Sequence, residues 1–386
     1  MRRAALLAAA GLTVTIVLAG CFDGTVRNPP GEGAGKQRGS GAQGGGKAGG
    51  TANGGKPGAG ENKGGGGGGS DDGISFAAVG DTAMGITPTL PPEPTTYFDP
   101  IDAELKGDVV FGNLEGTLTD VSEDVKCGPD SDECFAFRAP PEYAEYLRAA
   151  GFTAMSLANN HSYDFGEAGQ GETIAALHRA GIEPVGVPGR IAFIKVGGRK
   201  VALLGFAPYG YAPSLTDLDA ARALIRSARK RADIVVVANH AGGEGADALH
   251  VTGETEIYLG EDRGNAEEFA QMAVEAGADL VLGSGPHVLR GMEIYRGRLI
   301  AYSLGNFSGF HNFGLEGVLS ETVVLHATLA PDGAFRSGRL ASVRMVEAGQ
   351  PVPDPEGAGA ALVAELSKED FGRNGVEVSS GGDLRR

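Results

Sequence analysis

Positive charge is what this 386-residue sequence is short of: 33 lysines and arginines stand against 49 aspartates and glutamates, leaving a formal net charge of -16. So acidic a chain lacks the basic face that releases counterions from a phosphate backbone, and nucleic acid is excluded as a partner. An anionic ligand is not excluded, because a metal ion or a helix N-terminus inverts the field locally. Cysteine is scarce as well. Of the three, Cys127 and Cys134 stand far from any histidine in sequence, so a metal site built on them is a poorer reading than a disulfide closing the turn-rich stretch between them. Closing so small a loop is expected to contribute about 2 to 3 kcal/mol. Aromatic residues are absent from Asp23 to Ser75, where glycine runs such as Gly64 to Gly69 dominate. A stretch with nothing to bury reads as flexible coil.

Long apolar runs are missing too, with one exception at the start. Arg2 and Arg3 precede an apolar run from Ala4 to Leu18, which leads into Leu18-Ala19-Gly20-Cys21. This is the three-part layout of a secretory leader. The tetrapeptide resembles a lipobox, whose cysteine receives a diacylglycerol and becomes the mature N-terminus. An uncleaved membrane anchor is the rival reading, but the run is short for a bilayer span. The sequence therefore divides into a leader ending at the lipidation site over 1–21, a glycine-rich tether over 22–72, a folded domain over 73–350, and a C-terminal helix and tail over 351–386. The expected location is extracytoplasmic, with a lipid on Cys21 holding the protein to the cell membrane.

Beyond Gly73 the pattern changes to short apolar β-type runs separated by amphipathic segments. Strands are expected at 74–79, 109–111, 154–157, 192–196, 201–206, 234–238, 280–282, 299–303 and 321–329, and helices at 141–150, 166–180, 217–231, 265–276 and 357–367. The alternation argues for an α/β domain with parallel pairing and helical cover, and the later strands, lacking intervening helices, make the sheet mixed. Five of these runs end in polar clusters: Gly80-Asp81, Gly112-Asn113-Leu114-Glu115, Ala158-Asn159-Asn160-His161, Asn239-His240 and Gly283-Ser284-Gly285-Pro286-His287. Ligands bind at the carboxyl edge of α/β sheets, so the clusters imply one shared site.

Oxygen and imidazole side chains of this kind are the ligands of hard or borderline divalent cations. Asp81, Asn160, His240 and His287 are the candidates for such a shell, around a metal that would polarise a phosphoryl oxygen and acidify a water. His161 is read as the group that protonates a leaving oxygen, with Glu115 or Asp164 orienting it. Taken singly, Asp81 could cap a turn and Asn159-Asn160 could supply Asx-turn conformations. Their joint placement points to a ligand site. Asn306 is read as a turn residue or as a hydrogen-bond support behind the site. His178 and His326 fall in an expected helix and strand as surface or core residues, and His250 and His311 lie in loops without an assigned role.

Val79-Gly80-Asp81-Thr82-Ala83-Met84, Gly112-Asn113-Leu114-Glu115, Leu157 to Asp164, His240-Ala241-Gly242-Gly243-Glu244, Gly283 to Val288 and Tyr302 to Phe307 together resemble the capsule-synthesis protein CapA family, from about Ile74 to Phe310. The resemblance implies a four-layer α/β/β/α sandwich with mixed sheets, similar to calcineurin-like metallophosphoesterases, and a divalent metal such as Mn, Zn, Fe or Mg. It further implies a role in poly-gamma-glutamate capsule synthesis or export. Such a protein acts either as a metal-dependent hydrolase or as a non-catalytic accessory binding the polyanion or a membrane synthase. By that similarity Asp81 matches the first-motif aspartate, Asn113 and Glu115 the second motif, Asn160 and His161 the asparagine-histidine motif, and His240 and His287 the later histidines, so Asn113 joins the metal candidates. Two positions depart from the pattern. Ala83 stands where phosphoesterases carry a histidine two residues after the first aspartate, and Gly285 stands where many relatives have one before Pro286-His287. Both losses remove ligands and put a dinuclear site in doubt.

Metabolic labelling with a radioactive fatty acid is expected to mark the wild type and not Cys21→Ala; label surviving in the variant overturns acylation at that residue.

Overall fold

The computed structural model describes residues 73–127 and 134–385. The leader, Cys21 and the tether lie outside the described residues.

The Ile74–Ala83 strand shows why the chain builds layers. Ile74, Phe76 and Ala78 pack to one side and Ala77 and Val79 to the other, all buried, as in a strand covered on both faces. On the first side they join Val109, Phe111 and Ala154 of the same sheet and Val201, Leu203, Val236, Leu280 and Leu299 of a second sheet. On the other side lie Leu147 and Leu177, from the helices Tyr143–Ala150 and Gly166–Ala180. The second sheet repeats the plan: Ala202, Leu204, Val235 and Val281 meet Ile225, Phe269 and Ala273 on the helices Leu218–Arg229 and Ala266–Ala276. Helix, sheet, sheet and helix stack in that order, as the resemblance implied.

Both sheets are mixed. In the larger, Glu183–Val185, Ala154–Ser156, Val109–Leu114 and Ile74–Ala83 run parallel, and Glu321–Leu329 and Phe335–Val346 follow antiparallel. Asn306–Gly309 pairs in parallel with the far end of Ile74–Ala83. In the smaller, Arg199–Phe206, Ile234–His240, Leu280–Ser284 and Arg298–Ala301 are parallel, flanked by the antiparallel edges Ala192–Val196 and Met292–Tyr295. Asp217 and Asn265 cap their helices by accepting from Ala220 N and Glu268 N, each filling an orphan donor of the first turn. The chain after 349 adds the strand Gln350–Pro353 to the large sheet, and the helix Ala358–Phe371 inserts Ala360 and Val363 into the core between the sheets. Among the described residues no helix is long and apolar enough to cross a membrane.

One close approach fixes the centre of the large sheet. The Gly305 carbonyl accepts from Asp81 N at 2.9 Å, and a Cβ on Gly80 would lie 1.9 Å from that oxygen. Only glycine admits the crossing, since any side chain would push the backbone off Asp81. Gly80→Ala is expected to cost roughly 3 kcal/mol or more in urea denaturation. Gly171→Ala, exposed in a helix with nothing within 4 Å of the new methyl, is expected to stabilise by about 0.5 kcal/mol or more. Equal midpoints for the two variants would refute this account.

Candidate active site

Parallel strands bring their carboxyl ends to one edge, and register decides which side chains become neighbours. In the large sheet Asp81 sits beside Asn113 on one side and Asn306 on the other; in the small sheet His240 sits beside Ser284. The two edges meet face to face. Asn113 Nδ2 lies 3.3 Å from His240 Nδ1, and Asp81 Oδ1 lies 3.9 Å from the same nitrogen.

The network is organised by amides. Asn113 donates to Asp81 Oδ1 at 2.8 Å and accepts from Asn159 Nδ2 at 3.1 Å, so both ends of its amide are engaged in orienting neighbours. Asn159 also donates to the Leu114 carbonyl at 2.8 Å and accepts from His161 N at 3.0 Å. It thereby ties the second and third clusters together, a part that a turn-forming reading of Asn159 alone does not anticipate. His240 Nδ1 contacts Ser284 Oγ at 3.1 Å, and its Nε2 is buried without a hydrogen-bond partner. Asp81 Oδ2, both oxygens of Glu115 and Asn160 Oδ1 are likewise buried and receive no hydrogen bond. Buried polar atoms are normally satisfied, so the open atoms of Asp81, Glu115 and His240, which lie together, are the signature expected of a cation site. Ligand atoms of Asp81, Glu115 and His240 lie within 4.8 Å of one another, close enough for one ion to bridge them.

His287 answers part of this charge. Its backbone has φ +61°, a left-handed conformation that costs a non-glycine residue about 1 kcal/mol or more. The turn delivers the ring to Asp81 Oδ2 at 3.3 Å, Glu115 Oε1 at 3.5 Å and Glu244 Oε2 at 3.7 Å, while Nδ1 meets Asn306 Oδ1 at 2.7 Å. Of the two sequence readings of Asn306, turn residue or hydrogen-bond support, the contact matches the second. Burial would lower the His287 pKa, but Glu115, Asp81 and Glu244 together raise it well above the usual imidazole range. Burial pushes Asp81 up, yet His287, His240 and Asn113 outweigh it and hold its carboxyl below the ordinary value. Burial keeps Glu115 well above the carboxylate range, because the pull of His287 is opposed by Asp81 and Glu244. His240, desolvated, falls to about 3 and is a neutral imidazole at any ordinary pH, the form that ligates metals.

His161 lies nearby as half of a pair. Its Nδ1 is 2.8 Å from Asp164 Oδ2, and the Phe137 ring stacks on the imidazole at 4.0 Å between centroids. Burial first, then Lys126, lowers its pKa against the opposing pull of Asp164. Lys126 and Phe137 carried no signal in the sequence, being set by a loop; Ser284 and Glu244 lay inside recognised motifs but were not singled out. His178, His250 and His326 pair elsewhere, with Arg190, Asp370 and Glu104, each at 2.8 Å. His311 stacks edge-on against Phe310.

A family profile described as bacterial capsule synthesis protein PGA_cap matches residues 75–309. The chain belongs to that family. The PGA_cap match contains every candidate metal and acid–base residue. Among curated relatives, the PGA biosynthesis protein CapA of Bacillus subtilis is 30% identical over 261 residues, covering 62% of this chain and 64% of that protein. The capsule biosynthesis protein CapA of Bacillus anthracis is 31% identical over 261 residues, covering 61% and 60%. The matches span less than two thirds of either relative. A solved 5'-nucleotidase precursor from Thermus thermophilus aligns with a TM-score of 0.42 at 15% identity, over 77% of this chain and 58% of that one.

The departure at Gly285 has a structural counterpart in this PGA_cap member. Gly285 has φ +114°, and a Cβ there would lie 3.0 Å from Ala241 N. A histidine therefore cannot be restored without moving that turn.

Mn²⁺ binding, about one equivalent, is expected to weaken from about pH 8 to about pH 5, because a proton on Glu115, whose pKa is raised, competes with the cation. His240→Ala is expected to weaken it roughly tenfold or more throughout. Equilibrium dialysis measures both; affinity independent of pH would place the ion away from Glu115.

Proposed function

We propose that this protein is a metal-dependent hydrolase of the cell envelope, acting in the synthesis or export of an anionic capsule polymer such as poly-gamma-glutamate and held to the membrane through Cys21. The observation that carries the hydrolase reading is the set of open ligand atoms on Asp81, Glu115, Asn160 and His240, beside the His161–Asp164 pair. Family membership, and relatives bearing capsule and PGA biosynthesis names, support the capsule role. The lipobox-like Leu18-Ala19-Gly20-Cys21 supports the anchor, and the Cys127–Cys134 disulfide agrees with an oxidising compartment.

Asp81, Glu115, Asn160 and His240 would hold the ion, which when bound supplies Lewis-acid polarisation of the reacting oxygen. This donor set is oxygen-rich with one imidazole, and suits Mn²⁺ or Mg²⁺ better than Zn²⁺. Asn113 orients Asp81. Asp164 holds the Nδ1–H of His161; the proton given to the leaving group comes from Nε2 of the imidazolium, which returns to the neutral Nδ1–H tautomer with Nε2 free. A binding role without turnover is favoured by one feature: the His287 cation already lies among Asp81, Glu115 and Glu244.

Mature protein is to be assayed on bis-p-nitrophenyl phosphate and on poly-gamma-glutamate, with and without Mn²⁺. Metal-dependent turnover is expected, falling about a hundredfold or more in His161→Ala and vanishing in Asp81→Ala. Polymer binding without turnover in the wild type would overturn the hydrolase and establish the accessory role.

A further inference from the structure

The His161–Asp164 pair is gripped from outside its own loop. Lys126 Nζ donates to the Asn160 carbonyl at 3.1 Å and lies 3.1 Å from His161 Nδ1 and 3.3 Å from Asp164 Oδ1. Phe137 N donates to Asp164 Oδ2 at 2.7 Å, and the Phe137 ring lies flat on His161, 10° from parallel. Both oxygens of Asp164 and one face of the imidazole are thus met by two short stretches of a single segment.

Those stretches are joined by the Cys127–Cys134 disulfide, with Cα atoms 5.5 Å apart. One cysteine follows Lys126 directly; the other precedes Phe137 by three positions. The Phe137 arm is fixed on its own account, since its carbonyl accepts from Thr117 N at 2.9 Å and from Thr117 Oγ1 at 2.8 Å. The Lys126 arm is not held by a core. It lies outside any helix or strand, Val125 is 62% exposed, and its backbone ties are Val125 N to the Asp164 carbonyl and Cys127 N to Asp124 Oδ1, both at 2.8 Å. Across the bridge Phe135 is 58% exposed, so apolar burial does not hold the arms together there either. A segment with so little burial opens readily unless cross-linked.

We propose that the Cys127–Cys134 disulfide is a positioning crosslink for the acid–base pair: it fastens Lys126 to the anchored Phe137 arm, and Lys126 is the positioning residue that fixes Asp164 and, through it, the tautomer of His161. This deepens the hydrolase reading and rests on it for its kinetic consequence. The ammonium gives Asp164 Oδ1 its charged neighbour, while Oδ2 is left to Phe137 N and His161 Nδ1. The tautomer with Nδ1 protonated is the one that presents Nε2 to substrate.

The test uses mature protein with bis-p-nitrophenyl phosphate and Mn²⁺, comparing wild type, Lys126→Ala, Lys126→Arg and the Cys127→Ser/Cys134→Ser pair. Lys126→Ala keeps the crosslink, so it reports even if the double variant folds poorly. The expected result is a roughly tenfold fall in kcat with KM unchanged in Lys126→Ala and in the double variant, and substantial recovery in Lys126→Arg. In parallel, the ¹⁵N resonances of the His161 imidazole are expected to show one fixed tautomer in the wild type and an averaged one in the two impaired proteins. Wild-type kcat with a fixed tautomer in Lys126→Ala overturns the proposal. If the wild type turns over nothing, the hydrolase reading falls and the imidazole resonances alone decide: averaging on substitution upholds the crosslink's role, and a fixed tautomer ends it.

Discussion

Two carboxylates, Asp81 and Glu115, are wholly buried at the meeting edge of two sheets, and the rest of the site answers that constraint. Moving an ionised carboxylate from water into a protein interior costs several kcal/mol unless charge and hydrogen bonds are returned to it. Asp81 is repaid by Asn113, His240 and His287, and it stays ionised. Glu115 faces His287 at 3.5 Å without a hydrogen bond, with two further carboxylates acting against it, and its proton is held accordingly. The pair is therefore asymmetric: the fold holds one carboxylate below its ordinary pKa and the other well above it, and a further positive charge beside the second would favour its ionised form. A divalent cation meets that condition, and His240, neutral and open at Nε2, faces the same space.

The fold reaches this arrangement because its strands are parallel where it matters, which brings their carboxyl ends to one edge. Asp81, Asn113 and Asn159 arrive from consecutive neighbours of one sheet, and His240 and Ser284 from paired strands of the other. A register slip of one residue would turn any of these side chains to the opposite face, so the apolar alternation that builds the layers also aims the polar groups. Core and site are specified by the same residues. Ile74, Phe76 and Ala78 hold the sheets together, and the strand they belong to ends at Asp81 and Ala83.

Much of this was legible in the chain. The runs beginning at Val109, Ile234 and Leu280 are continuously apolar, and that at Ile74 is broken only by Ser75, because both faces are covered, and each ends in the polar cluster that lines the site. The strand Phe335–Val346 leaves no sequence signal, because its first half carries Arg336, Ser337, Gly338 and Arg339 on exposed or half-exposed positions, and no clear alternation survives. Over Tyr302 to Phe307 the sequence reads as a strand running into a turn, whereas Asn306–Gly309 is itself a strand, because four residues are too few to show a period. Lys126 and Phe137 escaped for a different reason. Their place beside His161 is set by a crosslinked loop, and contacts made through loops leave no periodic trace in sequence.

The two missing histidines are not equivalent losses. Ala83 is buried in regular strand backbone, paired with Gly309, and a β-carbon is already accommodated there. At Gly285 the turn itself has taken a conformation that excludes a side chain, with the backbone of Ala241 close against it. Position 285 is therefore closed by main chain, whereas position 83 already carries a side chain. Two residues beyond Gly285, the same turn holds His287 at positive φ and aims its ring at three carboxylates. The conformation that excludes a side chain at position 285 is thus continuous with the one that places His287 among the three carboxylates as a cation.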